Sequence, residues 1–151
     1  MLRELRAESD AEACDAIIAG LPEWFGLESG IRMCAEAVRT QAGLVREHDG
    51  AIDGFLTFDR PHAGTAEITW MAVRADTRGG GIGTELLEGL ATRAARDGTK
   101  LILVKTLSDR SETGAAYEAT RGFYLSRGFV PVAELDIWGP ENPCQLLARP
   151  V

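Results

Sequence analysis

The run TAEITWMAVRADTRGGGIGTELLEGL, residues 65–90, constrains this chain more than any other stretch. Ala66 to Val73 is a short apolar segment with β-branched and aromatic members, the composition of a buried strand. Ile82, Leu86, Leu87, Leu90, Ala91 and Ala94 then recur at helical spacing. Between the two, four of the five residues 79–83 are glycine. That density costs backbone entropy which an ordinary turn avoids. A glycine-rich turn opening a helix leaves backbone N–H groups unpaired at the positive end of the helix dipole, where no side chain obstructs a close-packed anion. The expectation is a strand, a phosphate-holding loop and an amphipathic helix, in that order.

Spacing separates the phosphate loops that such glycines can form. A P-loop needs lysine after its last glycine, but Thr84 and Glu85 follow Gly83. A dinucleotide fingerprint needs a small residue three places after the second glycine of its pair, where this chain has Leu86. What remains is R-x-x-G-x-G, carried by Arg78, Gly81 and Gly83, with Val73 ending the strand five residues before the arginine. This resembles the acetyl-CoA loop of the GNAT superfamily of N-acetyltransferases.

The rest of the chain reads as follows. Leu2 to Ala7 alternates like a half-buried strand, and Ser9-Asp10-Ala11-Glu12 reads as a capping box opening a helix to about Gly20. Residues 21–26 break it, and a second helix is expected from Glu28 to Thr40 with Ile31, Cys34, Ala35 and Val38 as its apolar stripe. Leu44 to His48 and Ile52 to Asp59 form a hairpin about Asp49-Gly50, and Arg60 to Gly64 turn into the strand described above. Gly98 suits a left-handed helix cap. Leu101 to Val104 reads as a strand buried on both faces, Ser111 to Arg127 as a helix, and Phe129 to Ile137 and Pro143 to Ala148 as the last strands.

With 151 residues the chain is expected to form one domain, 1–151. The charged N-terminus and the lack of a long apolar run point to a soluble, cytoplasmic protein with no membrane partner. Cys14, Cys34 and Cys144 lack metal-ligand spacing, so buried free thiols and no metal are expected. Residues 1–60 hold 6 Lys/Arg against 12 Asp/Glu, which accounts for −6 of the net −7. Acidity of that kind disfavours nucleic acid and favours a cationic partner.

A second motif, Phe123-Tyr124-Leu125-Ser126-Arg127-Gly128-Phe129, resembles the F-Y-x-x-x-G-F signature of the same superfamily, and the order β-α-α-β-β-β-α-β-α-β-β resembles its fold over nearly the whole chain. The resemblance implies a mixed, mostly antiparallel twisted sheet of about seven strands flanked by four helices, the acyl-CoA N-acyltransferase fold. It implies acetyl-CoA as co-substrate, held by Met71, Ala72, Val73, Arg78, Gly79, Gly80, Gly81, Ile82, Gly83 and Thr84. Glu67, eleven residues before Arg78, matches a general base of one branch, and Tyr124 matches the general acid. A carboxylate in an apolar strand has its charged form disfavoured by desolvation, which suits a base. Trp24, Phe25, Glu28, Trp70 and Tyr117, with Trp138, are the candidates for the acceptor pocket. Where the family often carries asparagine seven residues before the tyrosine, this chain has Tyr117. The implied reaction is direct acetyl transfer to a primary amine of a small molecule or peptide, by a monomer or homodimer. Two alternatives stand beside it: a catalytically silent acetyl-CoA-binding module, and a toxin-type acetyltransferase acting on aminoacyl-tRNA, against which the acidic charge speaks.

Overall fold

The computed structural model describes residues 1–22, 28–110 and 117–151. Seven strands form one sheet: β1 Leu2–Glu4, β2 Ala42–His48, β3 Ala51–Asp59, β4 Thr65–Val73, β5 Leu101–Leu107, β6 Val130–Leu135 and β7 Cys144–Pro150. Their spatial order is β1-β2-β3-β4-β5-β7-β6, and only β4 and β5 run parallel. The described α-helices are α1 Ala7–Ala19, α2 Glu28–Thr40, α3 Ile82–Arg96 and α4 Glu118–Leu125. This is the acyl-CoA N-acyltransferase fold, with the mixed sheet and four helices that the sequence led us to expect.

Each face of the sheet carries its own core, as alternation along strands requires. On one face Ile82, Leu86, Leu87 and Leu90 of α3 and Tyr124 of α4 pack on Leu56, Phe58, Ala66, Ile68, Ile102, Val104 and Leu147. On the other, Cys14, Ile17 and Ile18 of α1 and Cys34 and Val38 of α2 pack on Val45, Phe55 and Ala72. The three cysteines are free and buried, and burial pushes the Cys14 and Cys34 thiols up to about 12, so they stay protonated.

Several boundaries differ from the sequence reading for identifiable reasons. The first helix begins at Ala7, ahead of the expected capping box, and Arg6 is its N-cap. Asp10, one turn in, accepts the Arg6 backbone N–H at 2.7 Å and grips the Arg3 guanidinium at 2.8 and 3.0 Å, which pins β1 to α1. The Arg3 guanidinium holds the Asp10 carboxyl below the usual carboxylate range. In α2 the buried stripe is Cys34, Ala37 and Val38, with Ile31 exposed, because the helix lies across the sheet by its C-terminal half. Strand β5 alternates instead of being buried on both faces: Ile102, Val104 and Thr106 are covered, while Leu101 is exposed and Leu103, Lys105 and Leu107 are half-buried. The helices α1 and α2 cover β3 and β4 but stop short of β5. The hairpin at Asp49-Gly50 and the left-handed Gly98 cap are as expected, with φ of 51°, 78° and 76°. Of the helix expected from Ser111 to Arg127, residues 111–116 lie outside the described part and α4 ends at Leu125.

The sheet is not continuous at its centre. Thr65 to Ile68 pair with Leu101 to Val104, but from Thr69 onward β4 pairs only with β3, and from Lys105 onward β5 pairs only with β7. The strands part where β4 carries a bulge: Trp70 opposes Thr57 and Ile68 opposes Phe58, which leaves Thr69 as an extra residue. A bulge bends its strand and ends regular pairing. The result is a split that exposes one backbone edge of Trp70 to Val73 to whatever enters it.

Candidate active site

The glycine loop closes on the α3–α4 side of this split. Ala75 to Thr77 make a single 3-10 turn after β4, and the chain then passes through Gly79 and Gly81 with φ of 84° and 80°. Both need glycine for that backbone, and no heavy atom lies within 4 Å of where a Cβ would project. Gly81 is the N-cap of α3 and brings no side chain to cap it, so the N–H groups of Ile82, Gly83 and Thr84 face outward at the positive helix end. The open cradle and the uncapped amides fit a pyrophosphate.

Gly83 has a different duty. A Cβ there would come within 3.2 Å of the Phe123 ring, so its bare Cα lets α4 approach α3. Phe123 is held in turn by the Arg127 guanidinium, 3.9 Å over its ring, and Arg127 Nε donates to Thr84 Oγ1 at 2.8 Å. The two motifs are therefore one contact, the second clasping the helix that the first opens. Tyr124 packs edge-on against Phe123 and Phe129, at 5.2 Å each, and burial raises the pKa of its hydroxyl. The neighbouring Arg121 donates to the Leu107 carbonyl at 2.8 Å and ties α4 to the C-terminal end of β5.

On the α1–α2 side, the split opens into a cleft of about 380 Å³. Glu36 and Met33 of α2, Gln41, Glu67, Thr69 and Trp70 of β4, Lys105 of β5, and Ile137 and Trp138 all line it. Glu67, expected as a carboxylate in an apolar strand, is ion-paired: Lys105 Nζ stands 3.2 Å from its Oε1 and supplies the counter-charge. The parallel register explains this: Glu67 lies opposite Leu103, and Lys105 is two residues further on the same face. No signal in the sequence gives that register, so Lys105 escaped notice, and Gln41 belongs to no motif.

The remaining candidates separate clearly. Trp70 turns toward α1 and α2 and into the cleft, while Met71 and Val73 pack on the α3 side. Trp138 is in the cleft as expected. Glu28 is exposed in the first turn of α2 and Tyr117 is half-buried ahead of α4; neither is among the cleft's described walls. Trp24 and Phe25 lie outside the described residues. Arg78 borders the glycine loop. Among the described residues no group of three or more His, Cys, Asp or Glu side chains is placed to hold a metal, and no helix is long and apolar enough to cross a membrane.

Solved structures with this arrangement are numerous. A GNAT-family protein from Desulfovibrio desulfuricans superposes with a TM-score of 0.85 at 19% identity, covering 99% of this chain and 98% of its own. An aminoglycoside 6′-N-acetyltransferase solved with coenzyme A gives 0.75 at 18%, covering 99% and 96%. The ribosomal-protein-S18-alanine N-acetyltransferase of Escherichia coli gives 0.76 at 16%, covering 100% and 93%. At such identities the likeness shows the fold alone. No curated protein sequence is a significant match. The sequence model of the GNAT acetyltransferase domain matches residues 39–131, which takes in the split, the glycine loop and the aromatic clasp. The chain belongs to the GNAT acetyltransferase family.

Proposed function

We propose that this protein transfers an acetyl group from acetyl-CoA to a primary amine of a small molecule or peptide, directly, with both substrates bound at once. The observation that carries the proposal is the split itself, bordered by an anion-binding loop on one face of the sheet and an acidic, aromatic cleft on the other. Two substrates entering from opposite faces meet only there.

Arg78 and the amides of Gly79 to Thr84 hold the pyrophosphate, and the free backbone edge of Met71 to Val73 pairs with the pantetheine arm as an added strand would. Acetyl-CoA, when bound, supplies the acetyl group as an activated thioester. Glu67 lies on the cleft side and takes the proton from the attacking amine nitrogen onto a carboxylate oxygen, directly or through a water. A β4 backbone N–H polarises the carbonyl oxygen. Tyr124 lies on the opposite side and holds a proton at Oη for the departing sulfur; its raised pKa keeps that proton in place at working pH. Base and acid on opposite sides of the split suit a reaction whose proton is removed at nitrogen and delivered at sulfur. The test is thiol release from acetyl-CoA across a panel of amines, with mass spectrometry of the product. Release with at least one amine and a 42 Da gain on it are expected, as replacing N–H by N–acetyl requires; hydrolysis alone, with every amine unchanged, would remove the proposal.

A further inference from the structure

A chain of three side chains on the cleft side has no part in the scheme above. Thr57 Oγ1 on β3 lies 2.8 Å from Thr69 Oγ1 on β4, and Thr69 Oγ1 lies 2.5 Å from Gln41 Oε1, between α2 and β2. Thr57 is fully buried, and Thr69 is the bulged residue where the sheet parts. The direction of this chain follows from counting protons. Each hydroxyl has one, and the Thr57 hydroxyl has no other partner among the described residues. If Thr69 donated to Thr57, the Thr57 proton would have no acceptor in a site closed to water, which is costly. Thr57 therefore donates to Thr69, Thr69 donates to Gln41, and the Gln41 oxygen is the end of the line. With its oxygen engaged by Thr69, Gln41, which lines the cleft, has only its Nε2 left to offer a ligand there, and that group has two N–H donors and no hydrogen-bond partner among the described residues.

From this we infer that the acceptor is an amine with a carbonyl oxygen close by, as the α-amine of an aminoacyl amide or a peptide has, and not a plain alkyl or aryl-alkyl amine. The inference rests on the transferase reading above. Glu36 draws in the amine, Trp70 and Trp138 flank an apolar body, and Gln41 supplies the only neutral side-chain amide in the cleft among the described residues. The Glu36 carboxylate, which has no ion-pair partner among the described residues, disfavours a free amino acid, whose own carboxylate would stand beside it, while the Lys105 ammonium is already engaged by Glu67. The bulge places Thr69 so that the buried core of the sheet orients the amide, which makes Thr57 and Thr69 positioning residues for Gln41.

The experiment compares phenylalanine amide, phenylalanine and phenethylamine as acceptors, using kcat/KM corrected for the fraction of unprotonated amine. The amide is expected to exceed phenethylamine by about tenfold, the worth of one neutral hydrogen bond, with phenylalanine below the amide. Gln41→Leu should bring the amide-to-phenethylamine ratio to within about twofold of one, chiefly through KM. Thr69→Val should lower the ratio as well, and Thr69→Ser, which keeps the hydroxyl, should restore it. A purely structural role for Thr69 would move all three acceptors together and leave the ratio alone. Equal use of the amide and phenethylamine by the wild type, or a ratio that survives both Gln41→Leu and Thr69→Val in variants with unchanged melting curves, would overturn the inference while leaving the transferase reading in place. Absence of thiol release with every amine would instead strike the transferase reading, and this inference with it.

Discussion

On the α3–α4 side, the split is bordered by glycines and aromatic rings; on the α1–α2 side it is bordered by carboxylates, hydroxyls, an amide and two indoles. The first surface is made by leaving side chains out. A ligand there would be held by main-chain N–H groups, which every sequence possesses, so glycine matters there for what it does not put in the way. The second is made by side chains drawn from α2, the segment after it, β4, β5 and the β6–β7 connection. A surface of main-chain donors suits a fixed ligand common to a whole family, whereas a surface of side chains from several segments can be changed one residue at a time. Conserving a cofactor while varying an acceptor asks for that division.

The largest expected effect breaks the first surface. Gly81→Glu sets a carboxylate beside the phosphates and forces a non-glycine residue to φ of 80°. Like-charge contact of this kind costs several kcal/mol, so acetyl-CoA affinity measured by calorimetric titration should fall at least a hundredfold, while the backbone strain of about 1–2 kcal/mol lowers Tm modestly. Gly83→Glu should behave differently. Its side chain must displace Phe123, which Arg127 pins from the other side, so Tm should fall further than for Gly81→Glu as well as binding being lost. Equal Tm for the two variants would show that Phe123 yields freely and that the clasp has no structural weight. Unchanged affinity in Gly81→Glu would take away the pyrophosphate site.

The next effect sharpens the contrast between acid and base. Tyr124→Phe should slow the chemical step by about 10²–10⁴-fold with little change in acetyl-CoA affinity. Burial raises the Tyr124 pKa, so the group is fully protonated at every pH below its ordinary value of 10 and stays so above it. Wild-type kcat should therefore show no alkaline fall before about pH 10, and a fall near pH 8 would mean that another group is the acid. Glu67→Gln should lower turnover most at low pH, where unprotonated amine is scarce, and the deficit should shrink as the amine deprotonates by itself. The same substitution leaves the Lys105 ammonium without its counter-charge. Including Lys105→Met alone and with Glu67→Gln separates loss of the base from exposure of that cation. Wild-type activity across pH in Glu67→Gln would send the search for a base elsewhere.

Legibility in the sequence follows the same division. The strand, loop and α3 were readable because residues 65–90 are contiguous, and the glycine spacing, helical period and cap each act within a few residues. The F-Y-x-x-x-G-F stretch was readable for that reason too, although only the structure shows that Phe123 meets Gly83. The cleft was barely readable. Lys105 merely follows the apolar run Leu101 to Val104 in the sequence, and only the parallel register sets it against Glu67. Gln41 and Thr69 have no motif at all, because their alignment depends on one bulge. The acidity of residues 1–60 is unevenly spread: Asp10, Asp15, Glu47 and Asp53 pair with Arg3, Arg39 and Arg46 across β1, α1, α2, β2 and β3, so the net −6 is carried by the other carboxylates of the region.

The smallest expected effect tests what remains of that acidity. In the cleft Glu67 is neutralised by Lys105, whereas Glu36, exposed on α2, has no ion-pair partner among the described residues. Glu28 lies eight residues earlier, about 12 Å from Glu36 along the helix axis, which exceeds a Debye length of about 8 Å at physiological salt, and it is not among the cleft's described walls. Steering of a cationic acceptor should then rest on Glu36. One unit charge about 6 Å away in water is worth about 0.7 kcal/mol, or about threefold. Glu36→Gln should accordingly lower kcat/KM for a cationic amine by about threefold at low ionic strength, with the difference from wild type closing as salt rises and with kcat unchanged. Glu28→Gln should do nothing measurable in the same titration. A salt dependence that persists undiminished in Glu36→Gln, or that disappears in Glu28→Gln, would return the steering to the N-terminal region as a whole and would mean that the two sides of the split do not divide their labour by charge.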